Sequence, residues 1–136
     1  MNVLEIPFVE KVGITQNADD QLELAFKEDV QNHLNTIHAS AQFTLAETAS
    51  GKALLQQFPE LVDKVIPLLR DADIKFKKPA LKTIHAEASI SDESSLKFSE
   101  QFAKKGRASI AVDVTIVDSE GTVTCVGRFN WFVQSI

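Results

Sequence analysis

The stretch NHLNTIHASAQFTLAET, residues 32–48, opens as a polar turn and continues as a helix built from small residues. From about residue 38 to residue 58 the chain contains no proline and is rich in alanine, which predicts a narrow central helix that a sheet can approach closely. One carboxylate, Glu47, lies in this mostly uncharged run. Because desolvation disfavours a charged glutamate, Glu47 either reaches solvent or belongs to a functional site.

Length and composition indicate one globular domain, residues 1–136, large enough to bury a core without disulfides or metal. The formal net charge of −5 disfavours nucleic acid as a partner. The single cysteine, Cys125, cannot form an internal disulfide, so we expect a cytoplasmic protein, and no CxxC-type metal site is present. The sequence has neither a basic, apolar leader nor about 18 consecutive apolar residues, so we expect a protein that is not exported, does not span a membrane and has no membrane partner.

Alternating apolar and polar side chains predict an antiparallel sheet. The pattern marks about five strands, at residues 21–27, 72–77, 84–90, 109–118 and 123–133. Residues 118–121, DSEG, indicate a hairpin turn between the last two strands. With one long helix against such a sheet, the chain belongs to the α+β class.

Prolines and glycines divide the remaining chain. Residues 4–12 predict a short helix that ends at Gly13. Pro59 and Pro67 bracket a short amphipathic turn, which we interpret as an insertion between helix and sheet. Residues 92–105 favour a short helix, with a strand continuation as the alternative.

Three stretches, taken in chain order, resemble elements of one known family. The first is the turn and helix of residues 32–49, with an asparagine, a Thr-x-His turn and an acid, Glu47, nine residues after the histidine. The second is residues 74–79, IKFKKP, and the third is residues 105–107, KGR. The pattern is similar to that of the hotdog-fold thioesterases, specifically the phenylacetate-pathway (PaaI-like) group. Members commonly have Gly-Gly where this chain has Ala39-Ser40.

The resemblance implies a hotdog fold and an acyl-CoA thioesterase that uses no cofactor and takes a coenzyme A or acyl-carrier thioester as substrate. Hydrolysis requires an activated water and a donor for the oxyanion. We expect Glu47 to activate the water, with direct attack by its carboxylate as the alternative. The Ala39 N–H, at the positive end of the helix, is the expected donor. This role needs a backbone φ at position 39 that suits alanine.

Helix geometry places the two predicted groups far apart. Eight residues at about 1.5 Å each separate Ala39 from Glu47 by about 12 Å, which is too far for both to serve one carbonyl. If both act, they come from two chains, and a twofold dimer would carry two equivalent composite sites. The resemblance likewise implies a homodimer or homotetramer.

Further residues are candidates for the same site. Asn32 is expected to orient the water or the carbonyl, Thr48 to hold the water, and His38 to fix the turn or polarise the thioester. The alternative for each is a structural role in the turn or helix. For the phosphates of coenzyme A, Lys77, Lys78 and Arg107 are candidates that, with Lys104 and Lys105, could cluster from predicted strand ends; the alternative is that they are simply solvated.

Two other functions compete with the thioesterase. One is a non-catalytic hotdog protein that binds an acyl thioester or another small ligand. The other is a hotdog dehydratase or hydratase, which usually pairs a histidine with a carboxylate. His38 and Glu47 can meet in that way only across a dimer.

Overall fold

The computed structural model, which describes residues 1–136, wraps one six-stranded antiparallel sheet around one long helix. The helices are α1 (Pro7–Val12), α2 (Ala39–Gln57) and α3 (Asp92–Lys105), with short 3-10 turns at Val3–Glu5, Glu28–Val30 and Pro59–Leu61. The strands are β1 (Ile14–Gln16), β2 (Leu22–Leu24), β3 (Val65–Phe76), β4 (Ile84–Ser89), β5 (Arg107–Asp118) and β6 (Val123–Ser135). Their order in the sheet is β1-β2-β4-β5-β6-β3, and the predicted hotdog architecture is confirmed.

Helix α2 is the predicted central helix, and small residues let it lie close to the sheet. His38 caps its start, since His38 Nδ1 accepts a hydrogen bond from the Ser40 N–H at 2.9 Å. Its sheet-facing side buries Leu45 completely and Ala46 almost so. The helix ends at Gln57 with Phe58 as its C-cap, because the next residue, Pro59, has no N–H to donate to the preceding turn.

Strands β5 and β6 form the long hairpin that supports α2. Alternate residues of β5, among them Val112 and Ile116, are fully buried, as are Cys125 and Phe129 of β6. The Asp118 carboxylate accepts hydrogen bonds from the N–H groups of Glu120 and Thr122 and so stabilises the predicted turn. These contacts also hold the pKa of Asp118 below its usual value.

Two parts of the predicted arrangement were wrong. Strand β1, which is three residues long, was not predicted. The insertion between Pro59 and Pro67 is also shorter than expected, since β3 begins at Val65 and includes Pro67. Strand β3 lies at the edge of the sheet, where a proline is tolerated.

The helix predicted at residues 92–105 is confirmed as α3. Ser91 caps its start and Gly106 ends it with a φ of 67°, which favours glycine. Phe98 is buried, with its ring centroid 4.7 Å from that of Phe58, so α3 packs near the end of α2. None of the helices combines the length and hydropathy that crossing a membrane would require.

Candidate active site

A cavity of about 290 Å³ lies at the start of α2 and brings several predicted residues together. Its lining includes Asn32, Ala39, Gln42, Lys77 and Lys78. Backbone hydrogen bonds hold the walls in place: the Ile37 N–H donates to the Ala80 carbonyl at 2.9 Å. The N–H groups of Lys77 and Lys78 both donate to the Thr124 carbonyl, at 2.8 and 3.3 Å.

Ala39, which lines this cavity, has a free N–H donor. Ala39 is the first residue of α2, and its N–H has no acceptor within the chain. The following N–H groups are satisfied by His38, whose Nδ1 accepts from Ser40 and whose carbonyl accepts from Ala41 and Gln42. Ala39 is not among the residues with positive φ, so the site does not need glycine there. The free N–H lies at the positive end of a 19-residue helix.

Asn32 and His38 build the turn that leads into α2. Asn32 Oδ1 accepts hydrogen bonds from the N–H groups of Leu34 and Thr36, and Asn32 Nδ2 donates to Thr36 Oγ1 at 2.9 Å. The contacts of His38 are those of a helix cap. These bonds give both residues a structural role, while His38 Nε2 and the second N–H of Asn32 Nδ2 have no partner within the chain.

Glu47 lies two turns further along α2, outside the cavity. It is half-buried and makes no side-chain hydrogen bond or ion pair, and burial raises the pKa of its carboxyl. It follows Phe43 by four residues and precedes Ser50 by three, so the three share one helix face. Phe43 packs against Phe129 of β6, with ring centroids 5.5 Å apart, and the Ser50 hydroxyl accepts from Trp131 of β6. This face therefore points towards β6, whose neighbour in the sheet is the edge strand β3.

Thr48 does not support the role predicted for it. Its hydroxyl donates to the Thr44 carbonyl at 2.7 Å, and the residue is only 4% exposed. Thr48 packs in the protein interior, because a helix residue next to Glu47 in sequence points about 100° away from it. The hydroxyl thus serves the helix and is not available to hold a water.

The predicted cluster of five cations was wrong for a single chain. Lys77 and Lys78 are bonded to Thr124 near the start of β6, whereas Arg107 pairs with Gln134 near its end. Ten residues of strand at about 3.3 Å each separate these points by roughly 33 Å. Lys104 and Lys105 end α3 directly before Arg107 and lie with it at the far end.

Gln42 is a cavity residue that the sequence did not single out. It is 3% exposed, and its Oε1 accepts a hydrogen bond from the buried Thr124 hydroxyl at 2.8 Å. The spacing between Ala39 and Gln42 could have identified Gln42 from the sequence, since residues three positions apart lie on the same face of a helix.

The fold matches solved structures from several bacteria. A Pseudomonas aeruginosa protein described as a probable thioesterase is 23% identical, with 98% of this chain and 91% of that chain covered and a TM-score of 0.83. A Bacillus halodurans protein solved with CoA is 22% identical, with 93% and 74% covered and a TM-score of 0.72. A Haemophilus influenzae thioesterase is 17% identical, with 98% and 86% covered and a TM-score of 0.75.

A search of curated proteins finds no significant match. The family described as "Domain of unknown function (DUF4442)" matches residues 6–133, which is nearly the whole chain. The chain therefore belongs to the DUF4442 family.

Proposed function

We propose that the protein is an acyl-CoA thioesterase in which Glu47 activates water and the Ala39 N–H stabilises the oxyanion. The observation that carries the proposal is the pairing of a half-buried carboxylate that has no partner with a free N–H at the start of the same helix. The solved structures described as thioesterases support it, as does the relative solved with CoA.

In the proposed reaction, the Glu47 carboxylate takes a proton from water while the water oxygen attacks the thioester carbon. The carbonyl oxygen becomes an oxyanion and accepts a hydrogen bond from the Ala39 N–H. The tetrahedral intermediate collapses by breaking the carbon–sulfur bond. The thiolate of coenzyme A leaves and takes up the proton, and the carboxylic acid is the second product. The raised pKa makes Glu47 a stronger base than an ordinary glutamate.

The two groups act together only across a homodimer, because they lie about 12 Å apart in one chain. Strand β3 supports this assembly: it is a 12-residue edge strand, and its Ile66, Leu68 and Phe76 side chains are about half exposed. A long apolar edge is normally covered. Pairing of β3 with its copy covers the edge and brings two α2 helices side by side, so that Glu47 of each chain approaches Ala39 of the other. A homotetramer would keep the same composite sites.

For the phosphates of the substrate, the proposed site is the rim of the cavity. Lys77 and Lys78 are exposed and line the same cavity as Ala39. Their charges suit the phosphates of coenzyme A. Arg107 enters this proposal only as a residue of the second chain, because it lies roughly 33 Å along β6 from the cavity of its own chain. The expected location remains the cytoplasm, where such a substrate is available.

The test is hydrolysis of a panel of acyl-CoA thioesters, followed by detection of the released thiol. We expect turnover by the wild type and a strong loss of activity in Glu47→Gln. The control Glu60→Gln, which changes an exposed glutamate just beyond α2, should keep wild-type activity. Specific binding without turnover would instead support the non-catalytic alternative. Hydration of enoyl-CoA would support the dehydratase, in which His38 of one chain would meet Glu47 of the other through Nε2, since Nδ1 already accepts from the Ser40 N–H.

A further inference from the structure

We infer that Gln42 is a second catalytic donor, whose side-chain amide binds the same carbonyl oxygen as the Ala39 N–H. The inference rests on the proposed thioesterase function and adds a residue to its site. Gln42 lines the same cavity as Ala39, although only 3% of it is exposed. A polar side chain in such a position requires partners for both ends of its amide.

Only one end of the amide has a partner within the chain. Gln42 Oε1 accepts from the Thr124 hydroxyl, and Gln42 Nε2 donates to no acceptor. The one side-chain polar atom that is both fully enclosed and unpaired is Ser95 Oγ, so the Gln42 nitrogen is not sealed in the core. Since Gln42 lines the cavity, its NH₂ group reaches that space.

Thr124 determines which end of the amide faces the cavity. Its side chain is completely buried, and its hydroxyl proton has one acceptor within the chain, Gln42 Oε1. Rotation of the amide by 180° would leave that proton without an acceptor, at a cost of about 1–3 kcal/mol. The Thr124 carbonyl also accepts from the N–H groups of Lys77 and Lys78, so one residue orients the amide and anchors the lysines.

The helix brings this NH₂ group towards the Ala39 N–H. Residues three apart lie on the same face, and helical side chains lean towards the N-terminus. The Gln42 side chain therefore extends back over the first turn, where the free N–H is located. Two convergent donors are the arrangement that stabilises an oxyanion in acyl transfer. The chemical class that fits is the carbonyl of a thioester, an acceptor with two lone pairs and no proton of its own.

The test compares Gln42→Met with Gln57→Met in acyl-CoA hydrolysis. Methionine has nearly the same length as glutamine and no donor, and Gln57 is an exposed residue in the same helix that does not line the cavity. We expect kcat of Gln42→Met to fall roughly 10²- to 10³-fold with KM nearly unchanged, because the donor acts mainly on the oxyanion. Gln57→Met should keep wild-type kcat.

A second pair of variants tests the role of Thr124 as a positioning residue. Thr124→Val keeps the shape but removes the hydroxyl, so the amide can rotate, and we expect a smaller fall in kcat than in Gln42→Met. Thr124→Ser restores the hydroxyl and should recover most of the loss. Adding Thr124→Val to Gln42→Met should cause little further loss, because the amide it orients is already gone.

The outcomes separate this inference from the proposed function. A wild type that hydrolyses no member of the panel overturns the thioesterase and, with it, the role of Gln42. If the wild type hydrolyses acyl-CoA and a folded Gln42→Met has a kcat within threefold of the wild-type value, only the inference about Gln42 is overturned. A rise in KM at constant kcat also overturns it, because it would mean that Gln42 only binds the ground state. If Gln42→Met fails to fold, the Thr124 variants decide. A wild-type kcat in Thr124→Val would overturn the inference, and a loss that Thr124→Ser recovers would support it.

Discussion

Replacement of Ala39 by proline should remove one hydrogen-bond donor and little else. Proline is favoured at the first position of a helix, where its missing N–H would have no intrahelical acceptor. Ala39 occupies that position, it is exposed, and its N–H is free within the chain. The preceding residue, His38, has a ψ of 140°, in the range that a following proline requires.

The expected effects on stability and activity therefore have opposite signs. Proline at a compatible position stabilises a protein by about 0.4–1 kcal/mol, because it restricts the unfolded chain. Loss of one oxyanion donor lowers kcat by roughly 10²- to 10³-fold, or about 2.7–4 kcal/mol of barrier. We expect Ala39→Pro to melt at or above the wild-type temperature while losing nearly all hydrolysis of acyl-CoA, measured by thiol release.

Asp92→Pro provides a matched control. Asp92 is the first residue of α3, follows a residue with a ψ of 152°, has an unbonded N–H and does not line the cavity. The Asp92→Pro variant should retain wild-type kcat. A folded Ala39→Pro variant with kcat within threefold of the wild type would refute the oxyanion role of this N–H.

Mixing two inactive variants tests whether the site is shared between chains. In an equimolar mixture of Ala39→Pro and Glu47→Gln subunits, about half of the dimers are hybrids, and each hybrid has one intact composite site out of two. The mixture should regain about a quarter of wild-type activity after subunit exchange. If one chain supplied both groups, no intact site would form and activity would stay at the level of the variants.

Three further predictions address the base, the substrate phosphates and the assembly. Glu47→Gln should lower kcat by roughly 10²- to 10⁴-fold and abolish the acidic limb of the pH profile. Burial raises the folded pKa of Glu47, so the contribution of this carboxyl to stability is present at acid pH and is lost as pH rises through that pKa. Thermal melting should therefore find Glu47→Gln more stable than the wild type at neutral pH, but not at acid pH. Lys78→Ala should raise KM for acyl-CoA more than it lowers kcat, with a smaller effect at high salt, whereas an unchanged KM would contradict phosphate binding there. A rise in KM in Arg107→Ala would indicate that the second chain also contacts the phosphates. Sedimentation should detect a dimer at micromolar concentration, and an active monomer would contradict the shared site.

The sequence alone determined the architecture to a large extent. Helix α2 was predictable because a proline-free, alanine-rich run between a polar turn and Pro59 favours one long helix. The β5–β6 hairpin was predictable from alternation and from the DSEG turn, since both are local patterns. Glu47 was identifiable because a lone carboxylate in an uncharged helical run conflicts with burial, and the structure places it half-buried with a raised pKa.

Tertiary structure alone decided which residues share a site. Arg107 and Lys78 both looked like cations at strand ends, but strand register places them at opposite ends of β6. Gln42 looked like an ordinary helix residue until its contact with Thr124, 82 positions away in the chain, left one end of its amide free. Local patterns report the preferences of neighbouring residues, whereas hydrogen-bond partners and strand register depend on how distant segments pack.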